Sequence, residues 1–300
     1  MRRVGIGILI FIFVFVACYF SIEKFRIEEN REEVLSESEE QERGEASKAD
    51  SDAKENKTDG EGDTKESQQT QETVGDTADE NTAKEKKLIA LTFDDGPGSS
   101  STDKILDVLE ENNSRATFFV VGYNAEIHTE QLKREAELGC EIGNHSKSHG
   151  NLLKMTDNEI KEQVEGNNDL IREVTGKEVK LFRAPGGNYK GKEDVINMPL
   201  IQWTIDTNDW RKKDSANKSR TEQQRKEDID AIVNYVLEEA GEGKIILMHD
   251  IYTFSADTVE ALVPRLCKAG YTVTTVSDMF EYYGVTPENG KVYREAGADA

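Results

Sequence analysis

The 300-residue chain has 60 acidic and 38 basic side chains, and its formal net charge is −22. A surface this acidic repels phosphate backbones, which excludes nucleic acid as a partner. The length allows two domains, or one large α/β domain with additional segments.

The first twenty residues form a separate segment. Arg2 and Arg3 precede an apolar run at 4–20. At about 1.5 Å per residue this run just crosses a hydrocarbon core of roughly 30 Å, and it exceeds the apolar part of an ordinary signal peptide. No A-x-A cleavage site follows, so residues 1–20 predict an uncleaved transmembrane anchor with its basic end cytoplasmic and the remainder outside the cell. Cleavage and lipidation at Cys18 is the alternative, and it also leaves the protein attached to the membrane.

Residues 21–86 contain 22 acidic and 10 basic side chains and a single aromatic, Phe25. Such a stretch cannot bury enough apolar surface to offset the entropy lost on ordering, so it is predicted to be a disordered acidic linker. The chain from residue 87 onward carries the strand and helix patterns and is long enough for one sizeable core. We place the globular domain at 87–285 and a C-terminal tail at 286–300.

From residue 87 onward, short apolar runs typical of β-strands alternate with helical patterns. The predicted strands span 88–93, 116–121, 141–143, 179–182, 200–205, 244–248 and 271–275. The predicted helices span 102–111, 128–138, 222–239 and 257–269, and a further helix begins at the capping box Thr156-x-x-Glu159 and ends before Gly176.

This alternation predicts parallel strand pairing. Reactive side chains follow five different strands, and the carboxyl ends of the strands of a β/α barrel converge on one mouth. An open doubly wound sheet would place reactive groups only near its switch point. The predicted fold class is therefore α/β, a distorted, incomplete (β/α) barrel of about seven strands that follows the anchor and the linker.

Two adjacent carboxylates, Asp94 and Asp95, follow the first predicted strand and precede Gly96-Pro97. Neighbouring side chains at a strand end point in different directions, so one carboxylate can bind a metal while the other faces a water molecule. Asp-Gly-Pro is also ordinary turn chemistry, and a solvated turn is the alternative.

His145 and His149 are four residues apart, so one helical turn or a tight loop can present both imidazoles to one ion. Alone the pair is weak evidence, since surface histidines are common. Together with a carboxylate from a strand end, the pair predicts a His-His-Asp site with open coordination positions for water and substrate.

Polar groups also follow three later strands. Arg183 precedes Ala-Pro-Gly-Gly; its guanidinium can hold a carboxylate, and the glycines let backbone N–H groups approach a ligand. A surface salt bridge followed by a turn is the alternative there. The strand at 200–205 is followed by Asp206, Asp209 and Trp210. The Trp210 indole can form one side of a pocket for a small acyl group. His249 ends the strand at 244–248, and a catalytic role for it depends on its sharing the mouth with a metal site.

In chain order these motifs resemble those of the polysaccharide deacetylases of carbohydrate esterase family 4, whose catalytic region is the NodB-homology domain. The resemblance covers Lys87–Tyr283 and leaves out residues 1–86. It extends to the membrane-anchored bacterial peptidoglycan N-acetylglucosamine deacetylases. The motifs are Thr92-Phe93-Asp94-Asp95-Gly96, His145-x-x-x-His149, Arg183-x-Pro185-x-Gly187, Asp206-x-x-Asp209-Trp210 and Leu247-x-His249.

The resemblance implies a distorted (β/α) barrel and metal-dependent removal of N-acetyl groups from N-acetylhexosamine polymers. It implies one divalent metal ion, which we expect to be zinc, with cobalt, manganese or nickel as alternatives. The implied metal ligands are Asp95, His145 and His149.

The resemblance also implies a role for each remaining motif residue. Asp94 would be the base, held by Arg183, and His249 would be the acid, tuned by Asp206. Trp210 and Leu247 would line the acetyl pocket, and the backbone N–H of Gly186 would bind the oxyanion. Many relatives carry an aromatic residue where this chain has Gly186, so stacking on the sugar would be lost here.

The expected partner is a cell-wall glycan, and the expected substrate is the N-acetylglucosamine of peptidoglycan. We expect this chain to be a single-pass membrane protein whose catalytic domain is extracellular. Chitin, N-acetylmuramic acid and acetyl-xylan are alternatives, and a non-catalytic glycan-binding wall module is an alternative of a different class. A phosphoesterase is disfavoured because no Arg/Lys cluster surrounds the motifs.

Cys140 and Cys267 are the cysteines of the globular part. The sequence does not show whether they meet, and without a C-x-x-C spacing a thiolate zinc site is not expected. We interpret both as small buried apolar residues.

Overall fold

The computed structural model describes residues 86–213 and 219–296. The predicted anchor at 1–20 and the predicted linker at 21–86, apart from its last residue, lie outside this range. Among the described residues, no helix combines the length and the apolar character needed to cross a membrane.

The described residues contain eight β-strands. The strands predicted at 88–93, 116–121, 141–143, 244–248 and 271–275 are confirmed, each with ends within one residue of the prediction. In chain order the strands are β1 (Lys87–Asp94), β2 (Thr117–Val120), β3 (Glu141–Asn144), β4 (Leu200–Ile201), β5 (Ile205–Asp206), β6 (Ile245–His249), β7 (Tyr271–Thr274) and β8 (Val292–Tyr293).

Eight α-helices lie between the strands within the described residues. They are α1 (Ser100–Glu111), α2 (Gly122–Ile127), α3 (Thr129–Glu137), α4 (Asp157–Thr175), α5 (Glu193–Ile196), α6 (Glu222–Glu239), α7 (Thr253–Lys268) and α8 (Val276–Tyr282).

The predicted capping box of α4 is confirmed. The Thr156 side chain accepts from the Glu159 N–H, the Glu159 carboxylate accepts from the Thr156 N–H, and Gly176 ends the helix in the left-handed conformation with φ 68°. The helix predicted at 128–138 begins one residue later, because His128 ends α2 and precedes α3 with non-helical φ and ψ of −115° and 47°.

Parallel pairing organises the main sheet, whose order is β3-β2-β1-β6-β5, with β7 paired to the amino-terminal half of β1. β1 is the centre, and it is buried from its second residue to its last. Ile89, Leu91 and Phe93 contribute to the core against the helices, while Leu88 and Ala90 belong to a second apolar cluster with residues of α8. A strand covered on both faces explains the continuous apolar run in the sequence. The α/β class with a parallel sheet is confirmed.

Two predicted strands are shorter than expected. The run at 179–182 forms only a bridge at Phe182, which pairs with Asn144 on one side and Leu200 on the other. The strand predicted at 200–205 is divided into β4 and β5. The division has a cause: the Gln202 N–H donates to the carbonyl of Tyr293, whereas the Thr204 N–H donates to that of Ile245. The chain changes its pairing partner between these residues.

The segment 286–300 is not simply a tail. β8 pairs in parallel with β4, and a further bridge joins Lys244 to Glu295. The Ala296 N–H donates to the Gly243 carbonyl at 2.7 Å, and Ala296 is 1% exposed. The folded domain therefore extends at least to Ala296. A sequence boundary at 285 missed this because a two-residue strand carries almost no periodic signal.

Both cysteines of this part of the chain are free thiols, Cys140 buried and Cys267 half-buried. The prediction of two small apolar residues is confirmed for Cys140 in full and for Cys267 in part.

The attachment of the C-terminal segment generates a stability prediction. Gly243 has φ +78°, and a Cβ there would lie 1.7 Å from the carbonyl oxygen of Ala296. Gly270 has φ +92° with nothing within 4 Å of its Cβ position, so it is the matched control. We expect Gly270→Ala to cost about 1–2 kcal/mol for the left-handed backbone, and the collision in Gly243→Ala to add about 1–3 kcal/mol. Urea unfolding measures both, and equal losses would contradict the attachment.

Candidate active site

The carboxyl ends of two neighbouring strands begin the site. β1 ends at Asp94 and β6 ends at His249, and the two residues are register partners in the parallel ladder. Strand pairing therefore brings these side chains together although 155 positions separate them in the sequence. Asp94 is 5% exposed, so its carboxylate needs partners inside the protein.

Arg183 supplies the main partner of Asp94. Its Nη1 donates to Asp94 Oδ1 at 2.7 Å and to Thr92 Oγ1 at 2.8 Å. Its Nε and Nη2 donate to the carbonyls of Ile201 and Gln202 at 3.1 Å and 3.2 Å. The guanidinium is fully buried and lies 4.1 Å from the centre of the Phe119 ring. Arg183 and Asp94 form a buried ion pair, and each of the three guanidinium nitrogens donates at least one hydrogen bond.

Asp95 turns away from the strand. Its backbone is left-handed, with φ 74°, and Asn124 Nδ2 donates to its carbonyl at 2.7 Å. The turn directs its carboxylate to the loop after β3, where Oδ1 lies 3.4 Å from His145 Nε2 and 3.2 Å from His149 Nε2. The two carboxylates share the His145 imidazole, since Asp94 Oδ2 also lies 3.6 Å from Nε2, but Arg183 contacts only Asp94 and His149 contacts only Asp95 within these ion pairs.

His145 and His149 lie on a tight loop, not on a helical turn. His145 Nδ1 is 2.8 Å from the carbonyl oxygen of Arg183. A carbonyl only accepts, so the proton of His145 is on Nδ1 and the lone pair of Nε2 faces Asp95. One ligand atom from each of Asp95, His145 and His149 lies within 4.8 Å of the others, the one such group found among the described residues.

These three residues fit a divalent metal ion. Imidazole nitrogen and carboxylate oxygen are the donors of catalytic zinc sites, and a hydrogen bond from the far ring nitrogen to a carbonyl fixes the tautomer of such a ligand. Burial alone would raise the pKa of Asp95, but the charge of His149 and the hydrogen bond from its imidazole outweigh the effect of burial and hold the pKa well below its usual range. The carboxylate is therefore charged and available as a ligand.

Asp209, not Asp206, is the partner of His249. Asp209 Oδ1 lies 2.8 Å from His249 Nδ1, and Oδ2 accepts from the His249 backbone N–H at 2.8 Å. Ser255 Oγ donates to the same Oδ2 at 2.5 Å. Asp206 instead accepts from the backbone N–H of Asn208 at 2.9 Å. The sequence interpretation of Asp206 as the residue that tunes His249 is corrected.

The physical reason for the correction is the turn after β5. Asn208 is left-handed, with φ 52°, and it reverses the chain so that the fully buried Asp209 points back at β6. Asp206 stays at the strand end, half-buried, where burial raises its pKa. Ser255 was not found from the sequence, because it lies in the first turn of α7 outside any motif.

Asp209 makes His249 a cation at neutral pH. Burial by itself would lower the pKa of the imidazole, but the charge and hydrogen bond of Asp209, with smaller contributions from Asp95 and Asp94, raise it to about 10. With Nδ1 held by Asp209, Nε2 is the atom that can donate a proton to a ligand.

The remaining predicted residues lie around this centre. Gly186 is left-handed, with φ 57°, in a short 3₁₀ turn at Pro185–Gly187 that follows Arg183. Trp210 is half-buried next to Asp209, with the Arg211 guanidinium 4.7 Å from its ring centre. Leu247 is 4% exposed on β6. The fourth histidine of the chain, His128, is half-buried between α2 and α3, outside this centre.

The Asp209 contact generates a prediction on titration. Asp209→Asn removes the negative charge beside Nδ1, so we expect the pKa of His249 to fall well below the value of about 10 in the unaltered protein. Asp206→Asn is the control, since Asp206 makes no hydrogen bond to the imidazole within the described residues, and it should move the pKa little. NMR titration of the metal-free protein measures both. A larger fall in the Asp206 variant would restore the original interpretation.

Comparison with known proteins gives consistent results. The sequence profile described as "Polysaccharide deacetylase" matches residues 81–196. The peptidoglycan-N-acetylmuramic acid deacetylase PdaC of Bacillus subtilis (strain 168) is 36% identical over 197 residues, which cover 65% of this chain and 39% of PdaC. A peptidoglycan-N-acetylglucosamine deacetylase of Bacillus cereus is 32% identical over 206 residues, 66% of this chain and 90% of the relative.

A solved structure is also similar. The crystal structure of the Xyl-CE4 domain of a multidomain xylanase, from the hindgut metagenome of Trinervitermes trinervoides, matches with a TM-score of 0.62 and 34% identity, over 71% of this chain and 98% of that domain. The chain spans well under half of PdaC but nearly the whole of the Bacillus cereus relative. On sequence and fold together, this chain belongs to the polysaccharide deacetylase family.

Proposed function

We propose that this protein removes N-acetyl groups from N-acetylhexosamine residues of a cell-wall polysaccharide, the N-acetylglucosamine of peptidoglycan, and releases acetate. One observation carries the proposal: the Asp95, His145 and His149 ligand atoms converge within 4.8 Å, with Asp94 and His249 at adjacent strand ends beside them. A metal centre flanked by a carboxylate and a cationic imidazole is the equipment that amide hydrolysis requires.

Asp95, His145 and His149 would hold one divalent ion, zinc first, with cobalt, manganese or nickel as alternatives. When bound, such an ion polarises a carbonyl and makes water a stronger nucleophile at neutral pH. The three donors come from two loops whose positions are fixed by backbone hydrogen bonds, which supports a site built before the ion arrives.

Asp94 would accept the proton of the attacking water. Arg183 engages Oδ1 at 2.7 Å, and the other oxygen, Oδ2, lies 3.6 Å from His145 Nε2 and so faces the proposed metal centre. Arg183 therefore orients the base and compensates its charge, and leaves one oxygen for chemistry.

His249 would protonate the leaving nitrogen. An amine leaves an amide only after protonation, and a cationic imidazole with a free Nε2 can supply that proton. His249 keeps its positive charge at neutral pH because Asp209 raises the pKa of its imidazole to about 10. His249 and Asp94 lie at the ends of adjacent strands. The proposed acid and the proposed base would therefore approach the substrate amide from opposite sides.

The acetyl group would occupy a pocket lined by Trp210 and Leu247, and the backbone N–H of Gly186 would stabilise the oxyanion. Gly186 lacks the aromatic side chain of many relatives, so the sugar would be held by other groups. We further propose that the bridges at Phe182 and the pairing of β4 make the sheet a distorted, incomplete barrel around this mouth.

The substrate proposal follows the relatives. PdaC is named for N-acetylmuramic acid, the Bacillus cereus relative for N-acetylglucosamine, and the Xyl-CE4 domain belongs to a xylanase. Peptidoglycan N-acetylglucosamine is the favoured substrate, and N-acetylmuramic acid, chitin and acetyl-xylan are the alternatives within the class. A glycan-binding module without catalysis is disfavoured by the complete set of reactive groups.

We also propose where the protein works. Residues 1–20 would anchor it in the cell membrane in a single pass, and residues 21–86 would tether the catalytic domain outside. Fully extended, such a tether reaches about 200 Å. That length would let the domain act on the inner wall.

The test is to incubate the protein with purified peptidoglycan, with and without a chelator, and to measure acetate and identify the deacetylated sugar by mass spectrometry. We expect acetate from N-acetylglucosamine, loss of release with chelator and recovery with zinc. Glycan binding without acetate release from any wall polymer would replace the enzyme with a binding module.

Three substitutions separate chemistry from metal binding. Asp94→Asn and His249→Ala should retain zinc and lower acetate release by about 10²-fold or more, because each removes one proton transfer. His149→Ala should lose zinc as well as activity, with poor rescue by added metal. Zinc content and turnover are measured on the same samples. Near-normal turnover in either of the first two variants would refute its role, and unchanged zinc in the third would remove His149 from the ligand set.

A further inference from the structure

The loop that carries His145 and His149 has an unusual backbone. Ser146 has φ 67° and His149 has φ 57°, although neither is glycine. Residues with a Cβ adopt this left-handed conformation infrequently, and it persists where surrounding contacts enforce it. The contacts that enforce it here come largely from one helix, α4.

Asn167 of α4 contacts the first half of the loop. Its Nδ2 donates to the carbonyls of Val120 and Ser146 at 2.8 Å and 3.1 Å and to Asn144 Oδ1 at 3.0 Å. Asn144 Oδ1 in turn accepts from the Ser146 N–H at 2.7 Å. Three oxygens face one nitrogen, so only a donor fits this position.

The other end of the Asn167 amide argues against a role in stability alone. Its Oδ1 is buried without a hydrogen-bond partner among the described residues, and a Cβ on Gly122 would lie 2.8 Å from it. A buried unsatisfied acceptor destabilises a core. The contribution of Asn167 therefore comes from its Nδ2 donor, which bonds to the loop, and not from its Oδ1.

Gln163 contacts the second half of the loop, one turn earlier on α4. Its backbone carbonyl accepts from the Lys147 N–H at 3.0 Å. Its Oε1 accepts from both the N–H and the hydroxyl of Ser148, each at 2.9 Å. Together the two side chains engage the loop immediately before each of the two histidines.

We propose that Asn167 and Gln163 are positioning residues of the metal centre: they clamp the loop in the conformation that brings His145 and His149 to the same point as Asp95. Neither side chain touches the proposed ion. This inference rests on the metal site of the proposed function, and it adds that α4 determines how well that site is formed before metal binds.

The decisive measurement is zinc affinity of the metal-free full chain, by competition with a chelator, independent of catalysis. Loosening the groups that orient metal ligands weakens binding by about 10–100-fold. We expect Asn167→Ala and Gln163→Ala to lose about 10-fold or more. Gln163→Glu keeps an oxygen that accepts from Ser148, so it should stay within about threefold of the unaltered protein. Asn158→Ala, an exposed asparagine of the same helix, should not change affinity.

The melting temperature of each metal-free variant separates positioning from stability. If the residues only support the core, the melting temperature falls and the zinc affinity of the folded protein stays the same, which would overturn the inference. If Asn167→Ala does not fold, the two variants of the half-buried Gln163 provide the test. Equal zinc affinities for Gln163→Ala and Gln163→Glu would overturn the inference. An unaltered protein that binds no zinc would instead refute the metal site itself.

Discussion

The buried ion pair between Arg183 and Asp94 is the interaction on which the rest of the site depends. Through its side chain, Arg183 fixes the proposed base at 2.7 Å and ties β1 to the carbonyls of Ile201 and Gln202. Through its backbone carbonyl, the same residue fixes the tautomer of His145. One fully buried residue therefore contacts both the proposed base and a proposed metal ligand, and so aligns the two. A buried ion pair contributes little to stability relative to apolar residues of similar volume, so the main effect of this pair is the alignment of the site.

The parallel sheet places the site residues at one edge, and left-handed turns bring their side chains together. β1 and β6 bring Asp94 and His249 into register, but strand pairing alone would point the next residues in arbitrary directions. Asp95, His149 and Asn208 each adopt a positive φ, at 74°, 57° and 52°. The turns at Asp95 and His149 direct these proposed metal ligands toward each other, and the turn at Asn208 directs Asp209 back onto His249. The backbone strain of three non-glycine residues is thus concentrated where side chains must meet.

These two contributions explain how much the sequence could predict. The sequence predicts most strands, the parallel α/β class and the residues at the strand ends, because long apolar runs and motif spacing are local signals. The partner of His249 is not, since Asp206 and Asp209 both follow the same strand and only the turn at Asn208 distinguishes them. β8 and Ser255 were missed for a related reason: a two-residue strand and a serine in a helical first turn acquire their roles from residues distant in the chain.

The charges of the site support the proposal that it binds a divalent cation. Asp94 is compensated by Arg183, and Asp209 is compensated by the cationic His249. Asp95 remains, and its carboxylate lies next to two imidazoles, which bind metals in their neutral form. When both imidazoles are neutral, as metal ligation requires, the Asp95 carboxylate has no cationic side chain in contact with it, and burial makes that lack of compensation costly. A divalent ion would supply the missing positive charge and the Lewis acidity that the proposed amide hydrolysis needs. The same residues therefore satisfy the electrostatics of the fold and the chemistry of the proposed reaction.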